Sequence, residues 1–128
     1  MEYNLLMKKA KEAGEKAYCP YSDFPVGACI LTQSGQTYCG CNVENASFGL
    51  TICAERNAVF AAAAAGERKI LAAAIYSPKL ENCVPCGACL QVLAEFSGGK
   101  CEEMDIITGT KVYKLSELLP ERFGNVYN

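Results

Sequence analysis

Apolar and polar positions change period several times along the chain, and each change predicts an element. Across 2–18, Leu5, Leu6, Lys9, Ala10, Ala13 and Ala17 recur at near-helical spacing, which predicts a helix. Tyr18-Cys19-Pro20-Tyr21 ends it, because Pro20 cannot continue the hydrogen-bond ladder and restrains the residue before it. Residues 26–32 are apolar and contain β-favouring side chains, Ser34-Gly35 is a hairpin turn signal, and 36–41 returns as a second strand. Residues 54–66 are Ala-rich at helical spacing, and the run Ala61–Ala65 reads as a small-residue packing face. A strand buried on both faces follows at 70–76. Residues 87–96 predict a helix that stops near Ser97-Gly98-Gly99. Strands at 104–108 and 111–115 and a short helix at 116–119, with Ser116 as its N-cap, complete the pattern. Helices alternating with strands predict an α/β fold with a mixed sheet covered by helices on both faces.

Composition narrows the class. A chain of 128 residues with 51% hydrophobic and 20% charged residues has the size and make-up of one globular domain, taken here as 1–128. Twelve Lys and Arg against fourteen Asp and Glu leave no basic excess, which argues against long nucleic acid as a partner. No apolar run reaches the ~20 residues that span a bilayer, and the N-terminal sixteen residues carry charges where a signal peptide is apolar. The expected location is the cytoplasm. Nine Cys in a reducing compartment point to packing residues or metal ligands rather than a disulfide framework. With no His in the chain, any general base is a carboxylate, Lys, Tyr or Cys.

The chemistry concentrates in Cys53-Ala54-Glu55 and Pro85-Cys86-Gly87-Ala88-Cys89, both at predicted helix starts. Cys86 and Cys89 can place two sulfurs on one metal ion, and Cys53 can complete a three-thiolate set. The positive ends of two helices favour thiolate there. Sulfur ligands suit Zn²⁺, and three protein ligands leave a fourth position for water, the layout of a catalytic site. Glu55 is too near Cys53 in sequence to be a comfortable second ligand, and its expected role is to carry a proton beside the ion. Three thiolates and one Zn²⁺ sum to a net negative charge, so a nearby cation is expected. Arg56 is the candidate, donating to the sulfurs. By spacing alone Cys83 could replace Cys89 as the partner of Cys86. The remaining cysteines read as packing residues.

These motifs resemble those of the zinc nucleoside and nucleobase deaminases, with Cys in place of the His of the H-x-E form. The chain is more similar still to the small cytidine deaminases whose ligands are all cysteine. The resemblance covers nearly the whole chain: Ala17–Ala28, Gly40-Cys41-Asn42-Val43-Glu44-Asn45-Ala46-Ser47, Cys53–Ala58, Pro85–Cys89 with Gln91-Val92, and Glu117-Leu118-Leu119-Pro120. It implies a three-layer α/β/α sandwich with a sheet of about five strands, and a homotetramer with sites shared between subunits. It implies hydrolysis of cytidine and deoxycytidine to uridine and deoxyuridine with release of ammonia, in pyrimidine salvage. Cys53, Cys86 and Cys89 would hold one zinc per subunit. Glu55 would protonate ring N3, take a proton from water and deliver it to the leaving amine. Asn42 and Glu44 would bond the ribose hydroxyls, Phe24 would pack against the nucleoside, and backbone groups of Ala54 and Cys86 would read the pyrimidine edge. Phe123 matches an aromatic that reaches into a neighbouring subunit's site. Leu90 and Phe48 depart from the family pattern, standing where relatives often have Arg and Tyr.

The competing readings are a deaminase of another cytosine-containing molecule such as a nucleoside antibiotic, an editor of single-stranded nucleic acid, and a zinc-binding module without activity. The near-neutral charge weighs against the second.

Overall fold

The computed structural model describes residues 3–124. They form α1 (Tyr3–Gly14), β1 (Gly27–Thr32), β2 (Thr37–Cys41), α2 (Ala54–Ala64), β3 (Ile70–Tyr76), α3 (Gly87–Glu95), β4 (Asp105–Ile107), β5 (Val112–Lys114) and α4 (Leu115–Leu118). Short 3₁₀ turns at Phe48–Leu50 and Cys101–Glu103 lie between them.

One mixed sheet runs in the order β2-β1-β3-β4-β5. β1 pairs antiparallel with both β2 and β3, β3 is parallel to β4 through the α3 crossover, and β4 is antiparallel to β5. The β1–β2 hairpin closes through Gly35, whose φ of +89° suits a residue without a side chain and whose N–H donates to Thr32 O at 2.9 Å. The sheet separates two apolar layers. On one face Leu6 and Ala10 of α1 pack with Cys29, Ala72, Ala74 and Ile107. On the other, Ala58, Val59 and Ala62 of α2 and Leu93 of α3 pack with Ala28, Ile30, Ala73, Ile75 and Ile106. Alternate residues of one strand thus serve opposite layers, which is why 70–76 reads as apolar without a gap. The result is the expected three-layer α/β/α sandwich.

Two glycines set how closely the helices lie on the hairpin. A Cβ on Gly27 would stand 1.9 Å from Ala10 O of α1, and one on Gly40 would stand 2.6 Å from Ala58 N of α2. The hairpin is held between both helices at backbone distance, and α2 carries the first half of the chemical motif.

Some expectations are corrected. The first helix ends at Gly14, four residues before Tyr18, because Gly14 lies against Gly27 and the chain then joins the loop layer: Tyr18 N–H donates to Asn42 O and Glu44 N–H to Tyr18 O. The short last helix is entered from Lys114 rather than Ser116, its first turn held by the Glu117 carboxylate, which accepts from Lys114 N–H at 2.7 Å. Of the Ala run only Ala62 is buried within the chain.

Candidate metal centre and active site

Two loops that end in helix starts bring the sulfurs together. Cys53 immediately precedes α2 and Cys86 immediately precedes α3, both in extended backbone conformation. Neither makes a capping bond to its own helix, so neither sulfur is committed there. Cys89 lies in the first turn of α3 and is fully buried. The Sγ atoms of Cys53, Cys86 and Cys89 all lie within 4.8 Å of one another, and those of Cys86 and Cys89 are 3.5 Å apart. Three thiolates on one tetrahedral Zn²⁺ stand about 3.8 Å apart, from Zn–S bonds of about 2.3 Å. The donor set fits that ion in kind and in dimension. Cys83 is buried in the core, its thiol pushed up to about 11 by burial, and it stands outside the set.

The charges around the sulfurs are arranged for anions. Arg56, in the first turn of α2, donates from Nη2 to Cys53 Sγ at 3.2 Å. Its Nε is buried and finds no partner among the described residues. The Cys53 thiol is drawn well below its usual range, chiefly by a hydrogen bond from Cys89 and then by Arg56. Cys89 moves the other way for the same reason, reinforced by its burial. Glu55 points inward from the first turn of α2 and is only 5% exposed. Burial first, and then the negative Cys53, push its carboxyl up to about 7. A carboxyl poised near neutrality can both give and take a proton.

A polar loop pairs with the segment that leads into Cys53: Val43 N–H donates to Ile52 O at 3.0 Å. Glu44 receives Tyr21 N–H at 2.9 Å and Ser22 N–H at 3.1 Å on Oε1, and the Ser22 hydroxyl at 2.5 Å on Oε2. The Ser22 hydroxyl is the main cause that holds its carboxyl below the usual range. A cavity of about 410 Å³ is lined by Tyr21, Ser22, Glu44, Phe48 and Thr51. Tyr21 and Phe48 meet edge to face at 5.8 Å. From Thr51 the chain reaches Cys53 in two residues, which links the cavity wall to the sulfur cluster.

The other candidate residues divide. Asn42 is buried and its amide already serves the backbone: Oδ1 accepts from Val26 N–H at 2.9 Å and Nδ2 donates to Phe24 O at 2.8 Å. It therefore fixes the loop that carries half-buried Phe24, with one amide N–H and one lone pair left over. Ala54 is fully buried as the first residue of α2, where backbone N–H groups lie outside the helical ladder. Phe123 is 85% exposed, and its backbone N–H and C=O are both held by the Gln91 amide at 3.0 Å. Leu90 is a core residue, not a surface one. Sequence reasoning gave no role to Ser22 or Gln91. Both lie in segments that carry the resemblance, but no periodicity or spacing marks a side chain that serves a distant backbone.

A family model described as the cytidine and deoxycytidylate deaminase zinc-binding region matches residues 1–102. The chain belongs to this family. It is 42% identical to a cytidine deaminase of Halalkalibacterium halodurans, over 96% of this chain and 95% of that protein. Two solved structures are similar throughout. The cytidine deaminase from Mycobacterium tuberculosis aligns with a TM-score of 0.88 and 41% identity over 97% of this chain and 98% of the other. That from Burkholderia pseudomallei aligns with a TM-score of 0.87 and 44% identity over 96% of this chain and 100% of the other.

Proposed function

We propose that this chain, a single domain over 1–128, catalyses hydrolytic deamination of cytidine and deoxycytidine, giving uridine or deoxyuridine and ammonia. The observation that carries the reading is a buried Glu55 carboxyl, raised toward neutrality, beside three converging cysteine sulfurs. Cys53, Cys86 and Cys89 hold one zinc ion. When bound, zinc is a Lewis acid that makes water nucleophilic near neutral pH. Glu55 takes a proton from the attacking water, protonates ring N3 and returns a proton to the departing amine. Arg56 offsets the negative charge of the sulfurs. Backbone groups of Ala54 and Cys86 read the base edge, and Phe24 packs against the nucleoside. Glu44, with lone pairs beyond those used by Tyr21 and Ser22, and the remaining donor of Asn42 bond the sugar hydroxyls.

The described residues contain no helix long and apolar enough to cross a membrane. A cytoplasmic homotetramer is the assembly we propose. It is supported by exposed Phe48 and Phe123, at 74% and 85%, the latter presented outward by the Gln91 clamp.

The test is turnover of cytidine, deoxycytidine, free cytosine and a cytosine-containing nucleoside antibiotic side by side. The nucleosides are the expected substrates; turnover of the antibiotic alone contradicts the proposal. Glu44→Gln sharpens it. Losing charge-assisted bonds to the sugar should lower kcat/KM for cytidine about ten- to hundredfold. Activity on free cytosine should change little, whereas equal losses on both would assign Glu44 to loop structure alone. Arg56→Gln leaves the centre more negative and proton loss within it harder, so the rise of kcat/KM should move to higher pH. An unchanged pH profile removes Arg56 from the electrostatics.

A further inference from the structure

Cys29 of β1 stands directly opposite Cys39 of β2. Thr32 N–H donates to Gln36 O and Asn42 N–H to Val26 O, so the pairs three residues from Cys29 in either direction are of the hydrogen-bonded kind, and the two kinds alternate along the ladder. Cys29 and Cys39 therefore form a non-hydrogen-bonded pair, the kind in which Cα atoms approach to about 4.5 Å. That lies within the ~4.4–6.8 Å that disulfides span. Their sulfurs share a hydrogen bond at 3.0 Å. We propose that Cys29 and Cys39 are a redox-active pair that closes to a reversible cross-strand disulfide, with Cys39 as the thiol that meets the oxidant, a low-molecular-weight disulfide.

The two sulfurs differ in access. Cys29 has no exposed surface, packed beneath α1 with Leu6 and Ala10. Cys39 is exposed on the wall of an open cavity of about 620 Å³ between α1 and β2, shared with Lys9, Glu12, Lys16 and Cys41. Lys9 Nζ is held by Thr37 Oγ1 at 3.0 Å, and Thr37 points to the same side of β2 as Cys39. This ammonium favours thiolate at Cys39. A hydrogen bond from the Cys29 thiol is the larger influence, and together they bring Cys39 to about 7 against burial and Glu12. A thiol with a pKa near the ambient pH is a good attacking group.

The Cys39 thiolate attacks one sulfur of the small disulfide, forming a mixed disulfide and expelling one thiolate. Cys29 then gives up its proton to that thiolate and attacks Cys39 Sγ, expelling the second. Two protein thiols lose two electrons and two protons, and one small disulfide becomes two thiols. The nearest other sulfur on that face, Cys41, is paired with Gly27 and has no sulfur opposite. The pair packs in the α1 layer, whereas α2 packs in the other, so it is independent of the zinc centre and of the proposed reaction.

The test is to incubate the zinc-loaded protein with glutathione disulfide, alkylate it, digest it without reduction and map the peptides. The expected product joins the Cys29 and Cys39 peptides with loss of two hydrogens, and dithiothreitol reverses it. Cys29→Ser should stop with one glutathione on Cys39. Cys39→Ser, at an exposed position, should leave Cys29 unmodified. Glutathione retained on Cys39 of the wild type without a crosslink, a Cys39–Cys41 link, or an untouched Cys39 would each overturn the proposal.

Discussion

Glu55→Gln is expected to keep zinc and the far-ultraviolet circular dichroism of the wild type while kcat on cytidine falls by about 10²–10⁴, the range a positioned acid–base group supplies. The side chain is buried, so an amide of the same shape fills the same space. What disappears is a carboxyl that can exist in both protonation states near pH 7. No His is present in the chain to take over, which separates this site from those where a second base partly rescues such a variant. Full activity in Glu55→Gln would remove Glu55 from the reaction, and loss of zinc would make it a ligand. The same variant separates an enzyme from a purely structural zinc module, because a module has no turnover to lose.

Cys86→Ala is the second large effect. Cys86 is exposed and makes no capping bond to α3, so its removal costs the core nothing and leaves the helix start unchanged. The expected result is a folded protein with far less than one zinc per chain and no measurable turnover. The loss should exceed the ~10–100-fold that follows removal of an outer-shell partner. A variant that still binds zinc stoichiometrically would mean that another side chain completes the set.

How much of this was legible in the sequence depends on the range of the interaction concerned. Strand β3 was read at its observed bounds, because an unbroken apolar run between charged and turn residues has one simple reading. The sulfur cluster was legible because Cys53, Cys86 and Cys89 are tied to helix starts, and a helix start fixes where its first side chains point. The first helix ended early because a backbone contact between Gly14 and Gly27 overrode a helical pattern, and no pattern within 2–18 records what lies at residue 27. The resemblance implies a sugar contact for Asn42, and the fold adds a use that no sequence pattern records, two bonds to the Val26 and Phe24 backbone. The Gln91 clamp on residue 123 joins groups 32 residues apart, and the Cys29–Cys39 pair needs the hairpin register. Both are facts of folded geometry that residue types do not carry. Of the tail beyond Phe123, residues 125–128 lie outside the described residues.

Everything in the proposed reaction depends on three sulfurs from two helix starts holding one catalytic zinc ion. The most direct measurement is metal content by mass spectrometry, paired with the ultraviolet change on cytidine turnover, before and after chelation and after zinc is restored. The expected result is one zinc per chain, activity that falls in step with zinc removed, and recovery on its return. Full turnover by protein stripped of metal would contradict it.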